Sequence, residues 1–187
     1  EHKLTIEARV VGGDGKLLRA EAFYEDRAVG AGATVVKGDH ALLQIELDEI
    51  HPWEIGNGRL YDLTLTLGED EVKSYFGVRE VWTGDHRFYL NGKSVFGRFI
   101  LDQGFYPDGI WTAPTDEALK KDIEYSMAAG FNGARLHQKV FEERFLYHCD
   151  RLGYIAWGEY PNWGLDHSDP MVRHTYMPEW LESVERD

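Results

Sequence analysis

The sequence predicts a multidomain β plus α/β protein, in which an antiparallel sandwich is followed by parallel strands joined through helices. Two features of the chain point to it. Apolar residues alternate with period two over roughly the first 78 residues, which marks strands with one buried face. From about residue 97 the pattern changes to strand, helix, strand, and strands joined by one helix must lie parallel because a parallel connection needs a crossover of a dozen or more residues. Residues 1–78 are therefore expected to form an immunoglobulin-like β-sandwich and residues 79–187 a second, α/β domain.

In the first domain Leu4, Ile6, Ala8 and Val10 alternate with polar neighbours, as do Leu63, Leu65 and Leu67 with Thr64 and Thr66. Breakers recur about every ten residues, at Gly12-Gly13-Asp14-Gly15, Glu25-Asp26-Arg27, Gly38-Asp39, Pro52, Gly56-Asn57-Gly58 and Gly68-Glu69-Asp70. That spacing predicts about six or seven short strands. Gly30-Ala31-Gly32 is not expected to be a dinucleotide loop, because Thr34-Val35-Val36 beyond it reads as strand and no helix follows.

The second domain opens on a hairpin, signalled by Asn91-Gly92 between Phe88-Tyr89-Leu90 and Val95-Phe96, since both central turn residues need positive φ. Phe99-Ile100-Leu101 predicts a strand that ends in Asp102 and Gln103. A helix follows, with Thr115 as N-cap, Asp116 and Glu117 at the positive end of its dipole, and Leu119, Ile123 and Met127 as its buried stripe before Gly130. The next strand, residues 131–136, ends in Arg135, His137, Gln138 and Lys139. Phe141, Phe145, Leu146, Cys149 and Leu152 then fall on one helical face, and Gly153 stops that helix. A third strand, residues 154–157, ends in Gly158, Glu159, Tyr160 and Asn162. Pro178 opens a last helix with Trp180, Leu181 and Val184 as its apolar face. In sheets of this kind chemistry gathers at the carboxyl ends of the strands, where all three polar clusters lie.

Composition excludes several functions. A formal charge of −13 without a Lys/Arg run argues against nucleic acid or an anionic membrane as partner. The single cysteine, Cys149, is assigned to the helix core, and no disulfide or Cys-based metal site can form within the chain. No apolar run approaches the length of a membrane span, and no signal segment is expected at the start. The histidines show neither a His-x-x-x-His nor a His-Glu-x-x-His spacing, so no metal and no cofactor is expected. Nothing in the chain specifies a compartment.

Five stretches carry a resemblance. Trp53 with Leu60-Tyr61-Asp62-Leu63 resembles the end of a sandwich domain, and Phe76-Gly77-Val78-Arg79-Glu80 an FGxR junction to a barrel. Phe88-Tyr89-Leu90-Asn91-Gly92-Lys93 resembles an FxLNGKP hairpin, with Ser94 where proline is common. Arg135-Leu136-His137 matches the arginine-containing end of barrel strand two, and Cys149-Asp150-Arg151-Leu152-Gly153 a CDxxG helix end. In that order they resemble glycoside hydrolase family 2, the family of β-galactosidases, β-glucuronidases and β-mannosidases. The resemblance implies an immunoglobulin-like β-sandwich followed by the first three βα units of a (β/α)8 TIM barrel. It also implies part of a retaining β-glycosidase acting on O-glycosidic bonds of β-linked sugars. The family's acid/base glutamate, in an Asn-Glu pair after strand four, and its nucleophile glutamate at the end of strand seven have no counterpart here, and no Asn-Glu dipeptide occurs. The chain is thus expected to be inactive alone, with no catalytic residue of its own. The alternative is a non-enzymatic module that binds carbohydrate or protein.

The candidate substrate-binding residues are Asp102, Gln103, Arg135, His137, Glu159, Asn162 and Trp163. Retaining hydrolysis needs two carboxyl groups about 5–5.5 Å apart, and Asp102 with Glu159 is the only such strand-end pair in the chain. Asp102 is instead expected to accept hydrogen bonds from sugar hydroxyls, with Gln103 as a weaker contact of the same kind, or else to form an ion pair with Arg98 or Arg135. The resemblance implies that Arg135 holds the nucleophile carboxylate ionised, as a guanidinium does to a nearby acid; an ion pair with Glu159 is the other assignment. His137 either lines the site or is structural. Glu159 stands where relatives carry an acidic residue, and Asn162 and Trp163 follow in a loop that either reaches a sugar face or packs at the rim. A carbohydrate substrate is the expected partner, with a second copy of the chain as a candidate to cover the open edge of the partial barrel.

Overall fold

The computed structural model describes residues 2–161, 163, 166, 168–172, 178–179 and 181–182. The chain divides into two compact units, one of Glu1–Glu54 and Gly58–Ser94, the other of Ile55–Asn57 and Val95–Asp187.

Six strands of the first unit form two antiparallel sheets: β1 (Lys3–Arg9), β2 (Leu17–Tyr24), β3 (Arg27–Val35), β4 (His40–Glu46), β5 (Leu60–Leu67) and β6 (Asp70–Gly77). β1 pairs with β4, and the larger sheet runs β3-β2-β5-β6. Alternation sends Ile6, Leu43 and Ile45 from the small sheet and Ala20, Ala22, Val29, Tyr61 and Leu63 from the large one into a shared core. The glycines of β3 serve this approach, since a Cβ on Gly30 would lie 2.7 Å from the Glu46 carbonyl oxygen of the facing strand. Tyr61, fully buried, donates its hydroxyl to the Glu49 carbonyl (3.1 Å) and accepts from the His51 N–H (2.6 Å), which fixes the segment leading to β5.

A three-stranded ribbon follows, β7 (Val81–Gly84), β8 (Arg87–Leu90) and β9 (Lys93–Val95), in sequence order. Its turns are Asp85-His86, with φ of 49° and 59°, and Asn91-Gly92, with φ of 49° and 74°. Asn91 also donates to the Trp53 carbonyl (2.9 Å) and accepts from the Glu80 N–H (3.0 Å), so one side chain ties the ribbon to the segment before it.

The second unit is a parallel sheet of β10 (Phe99–Asp102), β11 (Gly133–Leu136) and β12 (Ile155–Gly158), ordered as in the sequence. Helices α1 (Asp116–Ala128) and α2 (Glu143–Leu152) connect them. Thr115 caps α1 by accepting from the Ala118 N–H at 3.2 Å, and Gly153 ends α2 in the left-handed region at φ 73°. Leu119 and Ile123 of α1 pack with Phe145 and Cys149 of α2 against Ala134 and Leu136 of β11. Cys149 is therefore core, and burial pushes its thiol well above the ordinary value. Because Ala134 and Leu136 face the helices, pleating turns Gly133 and Arg135 to the opposite face. There the Phe99 ring lies over Gly133, where a Cβ would come within 2.5 Å of it, and meets Trp157 of β12 edge-on at 6.2 Å. Asp116 clamps the helices together: it accepts two bonds from Arg144 (2.9 and 3.0 Å) and one contact from His148 (3.0 Å). Trp180 and Val184, expected on a helix after Pro178, lie outside the described residues.

Candidate functional site

The three strand ends bring polar side chains together on two different faces. Asp102 closes β10 in register with Leu136, whose side chain is in the helix-side core, so its carboxyl is on that side as well. Burial pushes the carboxyl above its ordinary value, and the Gly104 N–H, 2.8 Å from Oδ1, offsets this in part. Asp122 and Glu142 reinforce the rise, while Lys139 opposes it. Neither ion pair expected for Asp102 is formed: Arg98 directs its Nε to the Gly130 carbonyl (2.7 Å), and Arg135 engages Glu159.

Beside Asp102, β10 and β11 are joined at their ends by side chain and backbone. The His137 N–H donates to the Asp102 carbonyl at 2.8 Å, and Gln103 Nε2 lies 2.9 Å from His137 Nδ1. With the amide donating, Nδ1 is the acceptor and the ring proton sits on Nε2. His137 is buried and meets the exposed Trp163 ring edge-on at 5.3 Å. Trp163 is itself placed by its N–H, which donates to Gln138 Oε1 at 3.1 Å, and Gln138 takes a φ of 58°.

Arg135 occupies the other face, in register with Leu101 and Trp157. Its Nε donates to Glu159 Oε1, and the Gln138 N–H reaches Oε2 at 3.4 Å. The guanidinium holds the Glu159 carboxyl below its usual range, and it therefore stays ionised. Asp102 and Glu159 are thus driven in opposite directions, as an acid and a base would be, but they stand on opposite faces with β11 between them. Asn162 lies outside the described residues.

One residue that sequence reasoning left out is central here. Lys139, with a side chain only 11% exposed, donates to the Trp111 carbonyl at 2.8 Å and to Glu142 Oε1 at 3.4 Å. It locks the loop after β10 to the loop after β11. Its only sequence signal was membership of the polar cluster after the second strand. Among the described residues no three His, Cys, Asp or Glu side chains gather as a metal site, and no helix is long and apolar enough to cross a membrane.

Comparison with known proteins bears on the same architecture. Residues 2–79, which include β1 to β6, match the model of glycosyl hydrolases family 2. The chain is 26% identical over 116 residues to a beta-galactosidase of Staphylococcus xylosus, covering 62% of this chain and 12% of that protein. It is 25% identical over 125 residues to a beta-glucuronidase of Streptococcus agalactiae, covering 64% of this chain and 20% of that protein. The chain thus spans about an eighth to a fifth of the curated relatives it matches. Among solved structures, a Lactobacillus rhamnosus beta-glucuronidase superposes with a TM-score of 0.73 at 19% identity, over 92% of this chain and 30% of that one. A Parabacteroides merdae beta-glucuronidase gives 0.72 at 20% identity, over 85% and 21%. At these identities the likeness establishes the fold.

Proposed function

We propose that this chain is part of a retaining β-glycosidase that hydrolyses β-linked sugars, and that it has no turnover on its own. In this reading residues 1–78 are an immunoglobulin-like β-sandwich and residues 79–187 begin a (β/α)8 TIM barrel. The parallel order β10-β11-β12, with both helices on one side, is the order in which such a barrel lays down its strands. The observation that carries the functional reading is the gathering of Gln103, His137, Arg135 and Glu159 at the carboxyl ends of those strands, in a chain with a family 2 domain.

A retaining mechanism needs a protonated and an ionised carboxyl about 5–5.5 Å apart on either side of one bond. Asp102 and Glu159 differ in the right sense, yet their opposite faces argue against one shared substrate bond. They are wall residues in this reading. Oδ2 of Asp102, with Gln103, His137, Asn162 and Trp163, contacts sugar hydroxyls and ring faces, while Arg135 does for the nucleophile carboxylate what it already does for Glu159. The test is direct. The purified chain is expected to release no nitrophenol from nitrophenyl β-galactoside or β-glucuronide, yet to give saturation transfer to methyl β-glycosides in NMR. Turnover would overturn the inactivity, and absence of any sugar contact would favour a protein-binding module.

Leu101 and Trp157, 52% and 59% exposed on the sheet face away from the helices, support self-association through that face. Light scattering is expected to detect a dimer at high concentration; a strict monomer would refute it.

A further inference from the structure

The loop from Gln103 to Thr112 holds two exposed aromatic rings side by side, and the sugar contacts proposed above give them no task. Phe105 is 63% and Trp111 50% exposed, with ring centroids 6.0 Å apart and planes tilted by 37°. The loop that carries them is tied down at every turn. Tyr106 and Ile110 exchange backbone bonds of 2.8 and 3.0 Å, and the Tyr106 hydroxyl donates to Asp122 Oδ2 at 2.7 Å. The Trp111 carbonyl accepts from Lys139 Nζ, and its indole N–H donates to the Gln103 carbonyl at 3.1 Å. With the N–H satisfied by backbone, the indole offers a ligand only its apolar faces. Keeping such a ring fixed in water gives up side-chain entropy without burying its area, which an ordinary surface residue has no reason to do.

The position of these rings indicates their ligand. Gln103 is the shared joint: its carbonyl holds Trp111, and its side-chain amide holds His137, whose ring meets Trp163. The platform is therefore hydrogen-bonded to one of the proposed sugar contacts. We infer that Phe105 and Trp111 bind the leaving-group side of the substrate, and that this side is a ring with an apolar face, an aryl group or a second sugar. The assignment rests on the glycosidase reading and deepens it, because it makes these two residues determinants of which β-glycosides are taken. Aryl and pyranose rings share the chemistry that matters, a flat apolar face able to stack on indole.

The experiment compares phenyl β-glycosides, β-linked disaccharides and methyl β-glycosides of the same sugar, titrated into the purified chain by saturation-transfer NMR. The ring-bearing ligands are expected to bind about fivefold more tightly than the methyl glycoside, with transfer to the aglycone protons. Trp111→Ala should erase that preference while methyl-glycoside binding stays unchanged, and Trp111→Phe should keep most of it. Phe105→Ala, at a mostly exposed side chain, should reduce the preference without touching the fold. A ratio near one in the native chain, or a ratio that Trp111→Ala leaves unchanged, would overturn the inference. If methyl β-glycosides fail to bind to every form, the glycosidase reading of the strand ends falls, and the aglycone assignment falls with it. Preference for the phenyl ligand alone would restrict the class to aryl glycosides, and for the disaccharide alone to oligosaccharides, each in support of the platform.

Discussion

At the scale of single residues, two carboxyl groups with opposite environments give opposite pH behaviour. Asp102 is half-buried and its carboxyl is raised from 3.8, so on raising the pH the unfolded chain loses this proton before the folded one does. Stability from this group is therefore present at low pH and lost as pH rises through the window above 3.8. Asp102→Asn removes the charge but retains an acceptor for the Gly104 N–H, and should stabilise the chain by about 1 kcal/mol at neutral pH in urea unfolding. It should also weaken sugar binding if Oδ2 has its proposed role, whereas a loss of stability would mean that the charge is structural. Glu159 behaves the other way. Its carboxyl is lowered from 4.5 by Arg135, so its contribution is present above that value and lost as pH falls through the folded-state value. Arg135→Gln should return the Glu159 titration, followed by carboxyl NMR, toward 4.5. The strand-end candidates were legible in the sequence because a polar cluster after an apolar run marks a strand end, and of them Asn162 lies outside the described residues. Which face each occupies was not legible. Face follows from register and pleat, and a four-residue strand is too short for its alternation to reveal which side the helices cover.

At the scale of elements, local chemistry predicted what local chemistry decides. The Thr115 cap, the Gly153 stop and the Asn91-Gly92 turn were all readable because each rests on the conformational preference of one or two residues. Strand β7 escaped, since its turn uses Asp85 and His86 at positive φ, a pair without the steric freedom of glycine. Gly133 escaped for a different reason. Nothing nearby in the sequence reveals that Phe99, 34 positions earlier, lays its ring across this residue to reach Trp157. A Cβ there would also come 2.5 Å from the Ile155 carbonyl oxygen, which is backbone and cannot turn aside. Gly133→Ala should then force β11 from β12 and cost about 2 kcal/mol in chemical unfolding. Adding Phe99→Ala should recover only part of this loss, because the carbonyl contact remains. Full recovery would show that the ring alone demands glycine.

At the scale of the whole molecule, the change of hydrophobic period near residue 97 was the most legible feature, because period reports which layer a segment builds. Among the described residues the structure turns that change into hydrophobic clusters of which the two largest have no residue in common. One is built on Ala22, Val29, Ile45 and Tyr61, the other on Ile123, Leu136, Phe145 and Cys149. The extent of each unit was harder to read, because contacts join Ile55–Asn57 to the second unit and the ribbon through Ser94 to the first, and neither follows from local pattern. Cores that share no side chains predict separable responses to cavities. Val29→Ala, at 1% exposure, removes methyl groups from the first core, with an expected loss of about 1–2 kcal/mol. Phe145→Ala, also at 1%, empties a ring-sized volume in the second and should cost about 3–5 kcal/mol. In calorimetry the native chain should therefore melt in two overlapping transitions, with Val29→Ala moving one and Phe145→Ala the other. Circular dichroism offers the check on assignment, because α1 and α2, which build the second core, contribute helical signal that should follow the transition that Phe145→Ala displaces. A single transition that both variants shift equally would mean that the two cores unfold as one cooperative body.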